Sequence, residues 1–254
     1  MASSDLRSIG IIPARYASTR FPGKPLALIN GVSMIERVYR QASLSTKLSG
    51  VVVATDDNRI FDHVKSFGGR VMLTSDSHRS GTDRIAEVVM KLKDKGELYD
   101  IALNIQGDEP FIQPSQIEKV IDIFRNPNAD IGTLVKRIEK SEDIFDPNVV
   151  KAVVDAHGKA LYFSRSPIPF VRNTISDNWH KENTFYKHIG IYGFRADTLN
   201  NITMLAPSPL ETAESLEQLR WLYYGYTIFT AFTDIETVGI DTPDDLSKLI
   251  NISC

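Results

Sequence analysis

The chain has 254 residues, 42% of them hydrophobic and 24% charged, and 29 Lys+Arg against 32 Asp+Glu give a net charge of −3. This composition fits a folded chain with an ordinary core and excludes disordered, collagen-like and coiled-coil classes. Mild acidity argues against a general nucleic-acid or anionic-membrane surface, so an anionic ligand has to meet a local cluster of cations.

The N-terminal MASSDLRSIGIIPARYAS has too short an apolar stretch before Pro13 and Arg15 for a signal-peptide core. No later stretch approaches the ~18 apolar residues of a membrane span. A soluble, cytoplasmic protein with no membrane or nucleic-acid partner is expected. The single cysteine, Cys254, is the last residue, which leaves no disulfide framework and no CxxC site.

Short β-branched runs read as strands at Ser8–Ile12, Val51–Ala54, Val71–Leu73, Ile101–Ile105, Ile131–Val135 and Val149–Val154. Helical stripes lie between them: Met34, Ile35, Val38, Tyr39 and Ala42; then Ile85, Val88, Val89 and Leu92; then Ile117, Val120, Ile121 and Phe124 within Gln116–Arg125. The alternation predicts an α/β fold, a mostly parallel, mixed central sheet with helices on both faces. The second half is less regular. Ala160–Phe163 and Phe185–Phe194 read as strands around a polar, aperiodic Val171–Asn183 expected to be a loop. A helix carrying Leu216, Leu219 and Leu222 follows, then strands near Tyr226–Ala231 and Glu236–Gly239. The closing helix has Thr242 as N-cap, Pro243 at its first position and Asp245 completing a capping box. No linker marks a boundary, so residues 1–254 read as a single domain with a smaller β-rich insert at about 150–195.

Three constellations can carry chemistry. PARYASTRFPGKP follows the first strand, where the crevice of an open parallel sheet lies, and offers Arg15, Arg20 and Lys24 with Ser18, Thr19 and Gly23 to a polyphosphate. A solvated basic turn is the alternative, and the loop is neither a Walker A nor a GxGxxG sequence. Asp108, in QGDEP after Ile101–Ile105, suits a Mg²⁺ bridging protein and phosphate, or else forms a turn beside Gly107. Asp241 is a second carboxylate, which favourable interaction with a helix N-terminus would also explain. Ser80–Arg84 opens a helix with hydroxyls and N–H groups suited to an anion or base, or only to capping. Arg165, His188, Tyr192, Glu217 and Gln218 have no diagnostic spacing.

The order of PARYASTRFPGKP, VVVATDD, SGTDR, NIQGDEP, PNVVKAVVD, ALYFSR, KHIGIYGFR, SPLE, LEQLRWLYYG and GIDTPDDL resembles, over about residues 8–250, the 3-deoxy-D-manno-octulosonate (Kdo) cytidylyltransferases, or CMP-Kdo synthetases. The resemblance implies CTP + Kdo → CMP-Kdo + diphosphate for lipopolysaccharide biosynthesis, Mg²⁺ as cofactor, a nucleotide-diphospho-sugar transferase type of fold, and a homodimer. By motif it puts Arg15, Ser18 and Lys24 on the CTP phosphates. Ser80, Gly81, Thr82 and Arg84 fall on the cytosine and ribose side, and Asp108 and Asp241 on the metal. Arg15, Lys24, Asp108 and Asp241 form the catalytic set. Gln106, Arg165, His188, Tyr192, Glu217 and Gln218 fall on Kdo, and the insert on sugar binding and dimerisation. Phe21 stands where Leu is more usual and Asp83 where Glu is frequent. A cytidylyltransferase for another sugar acid, such as a sialic acid, and a non-catalytic nucleotide-binding protein are the competing readings.

Overall fold

The computed structural model describes residues 6–236 and 239–252. It forms two compact units, Met1–Glu118 with Thr237–Cys254, and Lys119–Glu236.

The first unit is built on β1 (Ser8–Ala14), followed by β2 (Leu28–Ile29) and β3 (Val32–Ser33), a hairpin closed by Asn30-Gly31. Both turn residues have positive φ, 48° and 79°, the geometry that makes Asn-Gly the preferred two-residue turn. Then come α1 (Met34–Ser43), β4 (Leu48–Thr55), α2 (Asn58–Ser66), β5 (Val71–Leu73), α3 (Gly81–Asp94), β6 (Ile101–Asn104) and α4 (Pro114–Ile123), which runs into the second unit. Strands β6, β1, β4 and β5 lie side by side in that order, each pair parallel. Successive crossovers therefore leave β1 toward β4 and β5, and the chain then jumps back to set β6 on the other side of β1. The reversal point lies between β1 and β6, and a crevice beyond strand ends at such a point is where open parallel sheets bind ligands.

Helix α1 starts because the Ser33 hydroxyl accepts the Glu36 N–H (3.3 Å), and its stripe Met34, Ile35, Val38 and Ala42 is fully buried. The stripes of α3 and α4 are buried as well. Each large aliphatic or aromatic side chain so buried contributes roughly 1.5–3 kcal/mol. No helix among the described residues is long and apolar enough to cross a membrane.

The second unit is mixed. It contains β7 (Ile131–Arg137), α5 (Ser141–Phe145), β8 (Lys151–Val154), β9 (Ala160–Ser164), α6 (Trp179–Glu182), β10 (Tyr186–Arg195), α7 (Ala196–Ile202), α8 (Pro209–Glu214), α9 (Gln218–Tyr223) and β11 (Ile228–Phe232). β7 pairs parallel with β11 and antiparallel with β10, and β8 pairs antiparallel with β10 and β9. The register of β10 on β7 slips between Ile189 and Tyr192, leaving Gly190 and Ile191 as extra residues in a bulge. The chain then completes the first unit with α10 (Pro243–Ile252).

Three expectations from sequence are corrected. Val171–Asn183 is not plain loop: it holds a 3₁₀ turn, Ser176–Asn178, and α6. These turns are too short to show a period, and the Trp179 side chain anchors them. Trp179 is buried with Ile138, Ile144 and Phe185, stacked on Phe185 at 6.1 Å, and its Nε1–H donates to the Thr174 carbonyl (3.1 Å). Glu236–Gly239 is not a strand at its described ends; Glu236 instead binds Lys136 (3.3 Å) and Lys187, and Thr237 and Val238 lie outside the described residues, as does Cys254. The strand expected from Tyr226 begins at Ile228, because Tyr226 N–H still bonds the Trp221 carbonyl (3.0 Å) at the end of α9.

Removing the Trp179 indole is expected to cost about 3 kcal/mol or more. Urea unfolding of Trp179→Ala should show that loss, whereas an unchanged midpoint would mean the indole does not hold this segment.

Candidate active site

The loop after β1, the turn after β6, the entry to α3 and Asp241, two residues before α10, line one cleft of about 260 Å³ in the first unit. Its walls carry Arg15, Ser18, Arg20, Lys24, His78, Arg79, Ser80, Gly81, Arg84, Gln106, Gly107, Asp108 and Asp241.

The loop after β1 is tied to itself. The Tyr16 carbonyl accepts the N–H groups of Ser18 (3.0 Å) and Gly23 (2.9 Å), and the Ser18 hydroxyl accepts the Phe21 N–H (3.3 Å). Gly23 sits at φ +71° against the Tyr16 ring, which Arg59 covers from 3.3 Å. Gly23 in turn caps the short turn that begins with Lys24. The Lys24 ammonium donates to Asp108 Oδ2 (2.7 Å) and Asp241 Oδ1 (3.3 Å), and Arg20 also binds Asp241 Oδ1 (3.0 Å). Two carboxylates distant in sequence thus converge on one cation.

Backbone packing brings them together. A side chain at Gly107 would begin 2.8 Å from the Pro13 carbonyl, so the absence of one lets the turn after β6 press against the end of β1. The Asp108 carbonyl accepts the Ile240 N–H (3.0 Å), and Ile240 is anchored among Ile29 and Met34, with Phe21 and Leu246 packed alongside. Asp241 then leads into the expected capping box: Asp245 N–H bonds the Thr242 hydroxyl (3.2 Å), and Asp245 Oδ2 accepts the Thr242 N–H (2.9 Å). Hydrogen bonds from the Thr242 hydroxyl and N–H hold the Asp245 carboxyl below its ordinary value.

At the entry to α3, Ser80 and Asp83 form a reciprocal capping box, so Asp serves here as Glu would. Gly81 lies beside Pro13, 3.4 Å from where a side chain would start, and Thr82 is buried. Arg84 is also buried, and its guanidinium donates to Asp56 (2.8 Å) and Thr74 (2.5 Å), which makes it a tie between α3 and the ends of β4 and β5. Arg15 stands exposed on the cleft wall. His78 and Arg79 are wall residues that reading the sequence missed; their signal is their position immediately before Ser80. Arg20 was visible as a basic loop residue, but its pairing with Asp241 was not.

The sugar-side set divides between the units. Gln106 lines the cleft of the first, while Arg165, His188, Tyr192, Glu217 and Gln218 belong to the second. The β10 bulge places Tyr192 opposite Thr133 and beside His188, with ring centroids 5.1 Å apart. His188 Nε2 is 2.9 Å from the Thr133 hydroxyl, and burial pushes its pKa down to about 4. Burial, with the Glu217 charge adding to it, pushes the Tyr192 phenol well above 10. The Tyr192 hydroxyl is buried without a hydrogen-bond partner among the described residues, an orphan polar atom of the kind a ligand or water satisfies. Glu217 precedes α9 and Gln218 opens it, buried. Arg165 is braced by its Nε on the Glu214 carbonyl (2.8 Å), its Nη1 on the Pro147 carbonyl (2.9 Å), and Lys151 on its own carbonyl (2.6 Å).

Residues 9–230 match the model of the family described as Cytidylyltransferase. The 3-deoxy-manno-octulosonate cytidylyltransferase of Parabacteroides distasonis is 53% identical over 249 residues, 96% of this chain and 97% of that protein. The protein of that name from Phocaeicola vulgatus is 54% identical, over 96% of each chain. A solved structure of CMP:2-keto-3-deoxy-manno-octonic acid synthetase complexed with CTP superposes with a TM-score of 0.89 at 41% identity, covering 97% of this chain and 98% of that one. A 4-diphosphocytidyl-2C-methyl-D-erythritol synthase, at 14% identity and a TM-score of 0.65 over 99% of this chain and 100% of its own, shares the fold. The expected α/β class, a mixed sheet with helices of the nucleotide-diphospho-sugar transferase type, is therefore the fold of this chain.

The depressed His188 pKa fixes a sign. Above pH 6.5 the imidazole is neutral folded or unfolded; between 6.5 and about 4 only the unfolded chain takes up the proton, so this residue costs stability increasingly as pH falls through that window. Urea midpoints measured at pH 7.5 and 4.5 should accordingly drop less in His188→Gln than in the parent, and equal drops would refute a neutral buried His188.

Proposed function

The chain belongs to the 3-deoxy-manno-octulosonate cytidylyltransferase family, and we propose that it transfers the cytidylyl group of CTP to Kdo, giving CMP-Kdo and diphosphate for lipopolysaccharide synthesis. The anomeric 2-hydroxyl oxygen of Kdo attacks the α-phosphorus in line, the P–O bond to diphosphate breaks, and the hydroxyl proton is lost; no covalent intermediate with the protein is needed. The observation that carries this reading for the cleft is the meeting of Lys24 with Asp108 and Asp241 at the reversal point of the sheet.

In this reading Arg15, Lys24 and Ser18 hold the triphosphate, and the two cations neutralise charge that grows on its oxygens as the leaving group departs. Ser80, Gly81, Thr82 and Arg84 serve the cytosine and ribose side, with Arg84 acting through its hold on Thr74 and Asp56. Asp108 and Asp241 fit a hard divalent cation, since oxygens from both approach one ammonium within 3.3 Å and nucleotide phosphates supply further oxygen ligands. Asp108 and Asp241 would hold Mg²⁺ there, and bound it would supply charge neutralisation and lower the pKa of a hydroxyl it meets. Gln106, Arg165, His188, Tyr192, Glu217 and Gln218 take Kdo: Arg165 its carboxylate, and Tyr192, Glu217 and Gln218 its hydroxyls. A neutral His188 offers hydrogen bonds without adding charge. The reading includes a cytoplasmic homodimer assembled through the β-rich 150–195 segment, supported by the exposure of Leu161, Phe170 and Ile175 there.

A diphosphate-release assay with Mg²⁺, crossing CTP, UTP, ATP and GTP with Kdo and a sialic acid, is expected to give turnover with CTP and Kdo. Release with the sialic acid alone would replace the sugar, and no release from any pair would leave a nucleotide-binding protein. Asp108→Asn or Asp241→Asn should lower kcat by about 100-fold or more with the fold intact. Near-parental rates at saturating Mg²⁺ would remove the carboxylates from catalysis.

A further inference from the structure

Helix α3 and its N-cap carry a polar row, Ser80, Arg84, Glu87 and Lys91, beside the buried Ile85, Val88, Val89 and Leu92. The row grips the segment that precedes the helix at successive points. Arg84 holds the Thr74 hydroxyl (2.5 Å), Glu87 Oε2 accepts the Ser75 N–H (2.8 Å) and meets His78 Nε2, and Ser80 closes the capping box with Asp83. The other Glu87 oxygen binds Lys91 at 2.6 Å. Only one of these contacts reaches a side chain of the cleft wall other than its own helix: that of Glu87 with His78.

Burial alone would raise the Glu87 carboxyl, but hydrogen bonds from Lys91, the Ser75 N–H and His78 outweigh it and bring its pKa down to about 2. It is therefore ionised wherever the protein is folded near neutrality. A carboxylate facing one imidazole nitrogen holds a proton on that nitrogen and fixes the plane of the ring. Here that nitrogen is Nε2, which leaves Nδ1 without a partner among the described residues, and His78 itself is one of the residues lining the cleft with Arg15, Arg79 and Lys24.

We propose that His78 is a nucleotide-contacting residue through Nδ1 and that Glu87, outside the cleft, is its positioning residue. The inference rests on the CTP reading above and adds to it two residues that the family resemblance did not supply.

The test is a double-mutant cycle read by titration calorimetry with CTP and by steady-state kinetics. His78→Ala should raise the Kd and KM for CTP about tenfold, the usual weight of one hydrogen bond to a charged group, with kcat and the KM for Kdo within about twofold. Glu87→Ala should do the same, Glu87→Gln should do less because its amide still accepts the Ser75 N–H, and the double variant should be no worse than His78→Ala. Unchanged CTP affinity in His78→Ala, or penalties that add in full, would overturn the assignment. If Glu87→Ala does not fold, Glu87→Gln decides: a weaker CTP Kd at a parental unfolding midpoint supports it and an unchanged Kd overturns it. A parent protein that binds CTP but does not turn over Kdo would refute the sugar while the cycle still decides the role of Glu87. A parent that does not bind CTP overturns both.

Discussion

The first unit is organised around a charge problem: two carboxylates, on Asp108 and Asp241, are brought to one spot by backbone packing that has nothing to do with charge. Gly107 against Pro13 and Ile240 N–H on the Asp108 carbonyl set their positions. Left alone the pair would repel, and the Lys24 ammonium between them, from the loop after β1, removes the repulsion. Its three elements, at the ends of β1 and β6 and before α10, are the ones that frame the cleft. Arg20 on Asp241 is a different matter. It is two-thirds exposed, and such pairs contribute ~0–1 kcal/mol, so its weight lies in placing positive charge at the cleft rather than in stability.

Strand and helix positions in the first unit were legible because their patterns are long and periodic. The stripe of α1, the capping box at Thr242, and β5 to the residue follow from propensity, capping and periodicity alone. Local chemistry of that kind survives without knowledge of what packs above it. Lys24 and Asp108 were legible for a related reason: each follows a strand whose end faces the crevice. Their contact was not, since it joins positions 84 residues apart. Arg84 illustrates the opposite limit. Its place in SGTDR suggests a ligand-facing cation, and it does line the cleft, but its ties to Asp56 and Thr74 are carried by no local pattern.

In the second unit the missing information was tertiary throughout. Val171–Asn183 has no period, because its order comes from Trp179 seated among Ile138, Ile144 of α5 and Phe185, which immediately precedes β10. The bulge in β10 is equally silent in the sequence, yet it is what sets Tyr192 against His188, with the Thr133 hydroxyl 2.7 Å from the Ile191 carbonyl filling the break in the ladder. A histidine in a strand reads as structural on its own. The same histidine beside a buried phenol whose hydroxyl has no partner among the described residues is a polar pair inside an apolar setting, and that combination is what supports its place in the proposed sugar site.

A net charge of −3 opposes two anionic substrates only if charge is spread evenly, and it is not. The wall of the first unit's cleft concentrates Arg15, Arg20, Lys24, Arg79 and Arg84 against Asp108 and Asp241, and three of those cations are already paired: Arg20, Lys24 and Arg84. Pairing keeps these cations ordered and close together. In the proposed reading a triphosphate exchanges one set of oxygen partners of Arg20 and Lys24 for another instead of ordering loose side chains, which lowers the entropic cost of binding. On that reading an acidic chain accommodates a polyanion because its acidic groups hold the basic ones in place.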